Sequence, residues 1–151
     1  MNINELLIQY SNEIIAEADT SLMRSHVKNY EKAGAVQTER RLKALYVLVA
    51  HAIKEKNLGP IIAHAEKIAE DRFVAGFDLW EVQTAFNVLE EAIWKRILKE
   101  VSPAEMGEAL GFVSTVLGAG KDALARTYVS LASRTKAPSM DFESMFSGTA
   151  G

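Results

Sequence analysis

Three histidines, His26, His51 and His64, are the side chains of this sequence best suited to hold a metal, carry a phosphoryl group or move a proton near neutral pH. Their spacing narrows the choice. A carboxylate-bridged di-iron bundle needs glutamate three residues before a ligating histidine, and the residues there are Met23, Leu48 and Ile61. Haem ligation needs a histidine facing a pocket; His51 and His64 fall on apolar-rich segments, where a lone histidine is ordinarily a half-buried polar residue. We expect no metal and no cofactor. Gly118-Ala119-Gly120-Lys121 has the outline of a phosphate loop. However, Thr115 stands where that motif has glycine, Asp122 where it has serine or threonine, and no strand precedes it. Cysteine is absent, which removes disulfides, thiolate metal sites and a cysteine nucleophile. Arg72, in an otherwise apolar stretch, is expected to pair with a carboxylate or cap carbonyls at the turn that follows, with an anion site as the alternative.

Any such residue must be positioned by the stretch Ala65 to Leu98, which reads as two helices around one turn. Ile68, Ala69, Arg72 and Phe73 keep helical spacing up to Gly76, which can take the left-handed conformation that closes a helix. Asp78 then stands three residues before Glu81, the spacing of a capping box, so a second helix starts there. Leu79, Val82, Phe86, Leu89 and Ile93 step by three and four and form a stripe for burial. Trp80 and Trp94 are expected in core and boundary packing, since an indole buries a large area and needs one partner for its N–H.

The 151 residues suffice for one domain with a sizeable core. A hydrophobic fraction of 48% with 25% charged residues is ordinary for a globular chain, and a formal net charge of -3 offers no electrostatic case for nucleic acid. Met1 to Tyr10 lacks the basic front and apolar core of a signal peptide, and no apolar run approaches the roughly 20 residues of a membrane span. A cytoplasmic protein that binds neither membrane nor nucleic acid is expected.

In chain order, a first helix is predicted from about Ile3 to Ala18, with Asp19-Thr20-Ser21 breaking it and recapping a continuation toward the loop around Gly34. Thr38 is a candidate cap for the next helix, whose face Leu45, Tyr46, Val49, Ala52 and Ile53 ends at Asn57-Leu58-Gly59-Pro60. Pro60 suits the first turn of the helix after it. No period-two alternation appears, so no sheet is predicted.

Ser102-Pro103-Ala104-Glu105 is the clearest helix start, and the helix that follows is expected to reach about Ser133. Its interior carries four glycines, each costing up to about 1 kcal/mol relative to alanine. At about 100° per residue, Gly107, Gly111, Ser114, Gly118 and Ala125 fall on one narrow seam where another backbone can approach closely. Beside it Met106, Leu110, Val113, Leu117, Leu124, Tyr128 and Leu131 form the stripe expected to face the core. The seam is assigned to a neighbouring helix, within the chain or across a dimer. Residues 1–135 therefore read as one helical domain and 136–151 as a tail. In that tail Phe142, Met145 and Phe146, beside Asp141 and Glu143, form an alternative docking segment for a partner.

Two resemblances bear on function. Ala50-His51-Ala52-Ile53-Lys54 is similar to the core of histidine phosphotransfer domains, which makes His51 the alternative phospho-acceptor, although Glu55 replaces the glycine those domains place after the lysine. More extensively, Ala65, Ala69, Arg72, Gly76, Phe77, Leu79, Glu81, Val82 and Ala85, with the order of helices to about Arg134, resemble the N-terminal domain of RsbR-type co-antagonists of the RsbT kinase, the stressosome regulators. That resemblance implies an all-α, globin-like fold without haem, dimerisation through helices, and protein partners in bacterial stress signalling. The sequence thus predicts an all-α bundle of five to six helices: a stand-alone, non-enzymatic sensory domain and homodimer. Arg72, Gly76, Asp78 and Glu81 form its structural turn, and the glycine seam its interface.

Overall fold

A computed structural model describes residues 1–136, with side chains through residue 134. The elements are α1 (Ile3–Gln9), α2 (Ser11–Arg24), α3 (Lys28–Ala33), α4 (Ala35–Glu55), α5 (Gly59–Val74), α6 (Leu79–Glu100) and α7 (Pro103–Lys136). The all-α expectation holds, with no strand among the described residues. The tail with Phe142, Met145 and Phe146 lies outside them.

Among the described residues seven helices stand where five to six were expected, because the chain bends where its pattern did not signal it. Tyr10 separates α1 from α2, and its own N–H still donates to the Leu6 carbonyl at 2.9 Å. The predicted break at Asp19-Thr20-Ser21 does not occur. Thr20 Oγ1 donates to the Ala16 carbonyl at 3.0 Å, and buried Ala18 and Leu22 carry the helix through. The chain turns instead at His26, which takes φ 51. Thr38 is not a cap either. The helix starts at Ala35 after Gly34 (φ 88), and Thr38 is buried in the first turn, donating to the Gly34 carbonyl at 2.9 Å and the Tyr30 carbonyl at 3.3 Å.

α5 and α6, though joined by the Gly76 turn, diverge. α5 lies mainly along α7, whereas α6 is gripped between α2 and α7. Ile61, Phe86, Leu89, Ile93, Leu117 and Leu124 are fully buried where these helices meet, each contributing about 1.5–3 kcal/mol relative to an exposed position. Outside that centre, the Tyr46 hydroxyl donates to the Leu7 carbonyl at 2.6 Å and ties α1 to α4. Lys121 Nζ bridges α7 to α6 through Asn87 Oδ1 and Glu90 Oε1, both at 3.1 Å.

The two tryptophans correct an expectation, since Trp80 is 57% and Trp94 37% exposed. Each lies on the flank of α6 away from the Val82–Phe86–Leu89–Ile93 stripe that fills the core. No helix among the described residues is long and apolar enough to cross a membrane.

The close backbone approach on α7 occurs at Gly120. A Cβ there would sit 3.0 Å from Phe86 Cε2 and 3.5 Å from Ile61 Cγ1, whereas at Gly107, Gly111 and Gly118 it would meet nothing within 4 Å. We therefore expect Gly120→Ala to lower the melting temperature, because overpacking a locked ring costs about 1–3 kcal/mol. Gly107→Ala, whose Cβ would meet nothing within 4 Å among the described residues, is expected to be tolerated better than Gly120→Ala. Thermal denaturation of both variants checks the pair, and the reverse order would mean the α7 faces are misassigned.

Candidate functional site

The turn between α5 and α6 is built from backbone outward. Gly76 takes φ 88, the Phe77 N–H reaches the Arg72 carbonyl at 2.9 Å, and the Gly76 N–H the Phe73 carbonyl at 3.2 Å. This closes α5 with the paired bonds of a left-handed cap. Asp78 then opens α6 with a complete capping box. Arg72, Gly76, Asp78 and Glu81 all lie at this turn.

Glu81 does more than cap. It is only 3% exposed and accepts from the Asp78 N–H at 2.9 Å, from the Asn29 N–H at 3.2 Å, and from Asn29 Nδ2 at 2.8 and 3.1 Å. Burial alone would push its carboxyl upward, but the hydrogen bonds from Asp78 and from Asn29 outweigh it and hold the pKa below the ordinary glutamate value. One carboxylate thereby fastens α3 to the start of α6. Asn29 Nδ2 also lies 3.4 Å from the Gly76 carbonyl.

Phe77 is drawn into the interior by that turn. Its ring packs edge-on to Tyr30 with centroids 5.3 Å apart, and its carbonyl accepts from the buried Tyr128 hydroxyl at 3.1 Å. Two guanidiniums, those of Arg41 and Arg72, each lie 5.7 Å from its centroid. The expectation that Arg72 pairs with a carboxylate is overturned, because among the described residues its guanidinium has a ring for a neighbour and no ion pair. The carboxylate nearest in sequence logic, Glu81, is committed to Asn29 and Asp78. Burial, and then the charge of Arg72, lower the proton affinity of Arg41. Tyr30 is pushed up to about 12 by burial despite both arginines, and Tyr128 likewise to about 12, chiefly by burial.

Arg41, Arg72 and His64 line a cavity of about 30 Å³ bounded by Leu22, Leu42, Leu45 and Phe86. His64 is held below the usual imidazole pKa by burial, then by Arg72 and Lys67. Sequence reasoning missed Arg41 and Asn29. Arg41 carried a legible signal, since it falls between Thr38 and Leu45 on the buried face of α4. Asn29 carried none.

The remaining sequence-predicted residues lie elsewhere. His51 is exposed on the outer face of α4, as is Glu55 one turn on. Gly107, Gly111 and Ser114 are exposed, Gly118 and Ala125 half-buried, and they line the outward side of α7. Of the stripe expected in the core, Val113, Leu117, Leu124 and Tyr128 are buried, while Met106, Leu110 and Leu131 are half-buried at its margins. Among the described residues no cluster of histidine and carboxylate groups has metal-binding geometry.

Residues 13–135 match the model of one family, described as the RsbT co-antagonist protein rsbRD N-terminal domain. No curated protein and no solved structure matches the chain.

Replacing the buried carboxylate by an amide tests its role. Because the folded pKa of Glu81 lies below its unfolded value, its stabilisation is fully present above about pH 4.5 and is lost as pH falls below that value. Glu81→Gln is expected to cost about 1–3 kcal/mol at pH 7, with the gap to the wild type closing under acid. Urea denaturation at pH 7 and pH 4 measures it, and a gap independent of pH would contradict the assignment. Gly76→Ala is expected to cost about 1 kcal/mol or more from strain at its positive φ, read from the same denaturation curves.

Proposed function

The chain belongs to the rsbRD N-terminal domain family, a family of regulatory signalling domains, and from that premise we propose that it works without catalysis, as a homodimer joined through α7 that passes a signal to a protein partner. The observation that carries this reading is the outward seam of α7. Three helix-interior glycines, Gly107, Gly111 and Gly118, leave open space where a Cβ would stand. Nothing inside the described bundle requires them. Their propensity cost of up to about 1 kcal/mol each calls for a partner backbone.

Exposed apolar groups flank the seam. Lys121 pairs with Glu90 across helices that a two-residue connection makes antiparallel. Trp94 and Leu98, one and two turns beyond Glu90, therefore stand at the same level along the bundle as the stretch from Gly118 back to Gly111. Both are exposed, as is Val129 further along α7. A ridge of large side chains next to a glycine trough is self-complementary under two-fold symmetry, because each copy offers both shapes. The globin-like arrangement without haem belongs to the same proposal. It is supported by the small cavity that α4, α5 and α6 enclose, a space of about 30 Å³ that is far below the size of a tetrapyrrole.

Histidine phosphotransfer at His51 is the competing reading, and the exposure of that side chain favours it. Glu55 argues against it, since it sets a negative charge beside the face a response regulator's acidic site would have to approach. Incubation with a phosphodonor and a response regulator separates the two, with labelling of His51 in one case and none expected in the other.

Sedimentation equilibrium tests the dimer. The wild type is expected at twice the chain mass and Gly111→Leu/Gly118→Leu at the monomer mass with unchanged helical circular dichroism. A wild type that stays monomeric at the highest soluble concentration would end the proposal.

A further inference from the structure

We propose that the cavity between α4, α5 and α6 is a binding site for a compact anion, a small carboxylate or oxyanion held between the guanidiniums of Arg41 and Arg72. The inference is independent of the dimer and rests on an unbalanced set of charges. Both guanidiniums line one cavity, and neither forms an ion pair with a carboxylate among the described residues. Arg41 Nε and Nη1 are buried and meet no acceptor, in a place walled by Leu22, Leu42, Leu45 and Phe86. Buried donors on a cation that go unmatched are rare, because a charge removed from water is costly unless paired.

Among the described residues, the polar groups nearest this space are already committed. Glu81, the buried carboxylate of this region, has its oxygens taken by Asn29 and Asp78. Thr38 Oγ1 directs its proton to the carbonyls of Gly34 and Tyr30. Phe77 gives each guanidinium an electron-rich face, but a ring face does not accept the in-plane bonds toward which Nε–H and Nη1–H point. A planar anion does, because a guanidinium edge matches two oxygens at once. His64, kept neutral by burial and by Arg72, lines the same space and brings an N–H donor. The positive groups facing the site are thus Arg41 from α4 and Arg72 from α5, with Tyr30 of α3 and His64 of α5 uncharged at neutral pH.

Volume fixes the class of ligand. A cavity of about 30 Å³ is only about two to three times the space one water requires. Formate or nitrite fits; a sugar acid, a nucleotide or a tetrapyrrole does not. An anion here would neutralise the repulsion between two arginines on different helices and so bind α4 to α5.

The test uses the full chain labelled with nitrogen-15, titrated with sodium formate against sodium gluconate at fixed ionic strength. The Nε–Hε resonances of Arg41 and Arg72 are expected to shift saturably with formate and to stay in place with gluconate. The melting temperature should rise with the logarithm of formate concentration alone. Arg41→Met and Arg72→Met should each abolish the saturable response while keeping the helical circular dichroism. If a variant fails to fold, the wild-type titration alone decides. Resonances that do not move with formate or nitrite, or that move equally in gluconate, would overturn the proposal, as would a response that survives in both variants.

Discussion

The buried carboxylate of Glu81 is the interaction on which the arrangement of this bundle turns. Removing a charge from water is unfavourable unless its lone pairs are occupied, and here Asn29 from α3 and the Asp78 amide from the α5–α6 turn occupy them. That requirement holds α3 in place, because Asn29 donates to Glu81 through both its backbone N–H and its side-chain amide. It also fixes the pitch of the turn, which must deliver Phe77 inward while Asp78 caps α6. Tyr30 and Tyr128 then close on Phe77, one through its ring and the other through its carbonyl. One satisfied charge thus joins α3 to the start of α6, and aromatic packing around Phe77 adds α7 to the same junction.

The centre of the bundle is organised by ordinary packing. Phe86 sits against Gly120, and the absence of a Cβ there lets α7 lie close to α6 and α5. Once that face of α7 is taken by the core, the glycine seam is on the opposite side, turned outward. The long helix therefore presents two surfaces with different chemistry. The inner one repeats Val113, Leu117, Leu124 and Tyr128; the outer one carries Gly107, Gly111 and Ser114.

Arg41 is where the fold departs from the usual rule that buried polar groups are paired, since its Nε and Nη1 are buried without an acceptor among the described residues, and Arg72 lines the same space. The two share Phe77, whose quadrupole offers each of them about 0.5–2 kcal/mol. Desolvation of the hydrogen-bonding nitrogens is not offset by that.

Much of this protein was determined by its sequence alone. Apolar spacing placed the stripes of α6 and α7, Asp78 with Glu81 marked a helix start to the residue, and Gly76 marked the stop before it, because capping is a local matter of a few backbone amides. Membership of the family was legible from the same turn. What tertiary structure decided is what local rules cannot reach. Thr38 reads as a cap and is a buried first-turn residue, since Gly34 at positive φ starts the helix earlier. Asp19-Thr20-Ser21 reads as a break and is helix, since Ala18 and Leu22 are held by the core. Trp80 and Trp94 read as packing and are at the surface, because the stripe beside them already fills the space. The partner of Glu81, Asn29, is 52 residues away, and Arg41 and Arg72 meet over Phe77 from two different helices. Neither is encoded in spacing, because contacts between distant segments depend on which faces the whole bundle leaves free.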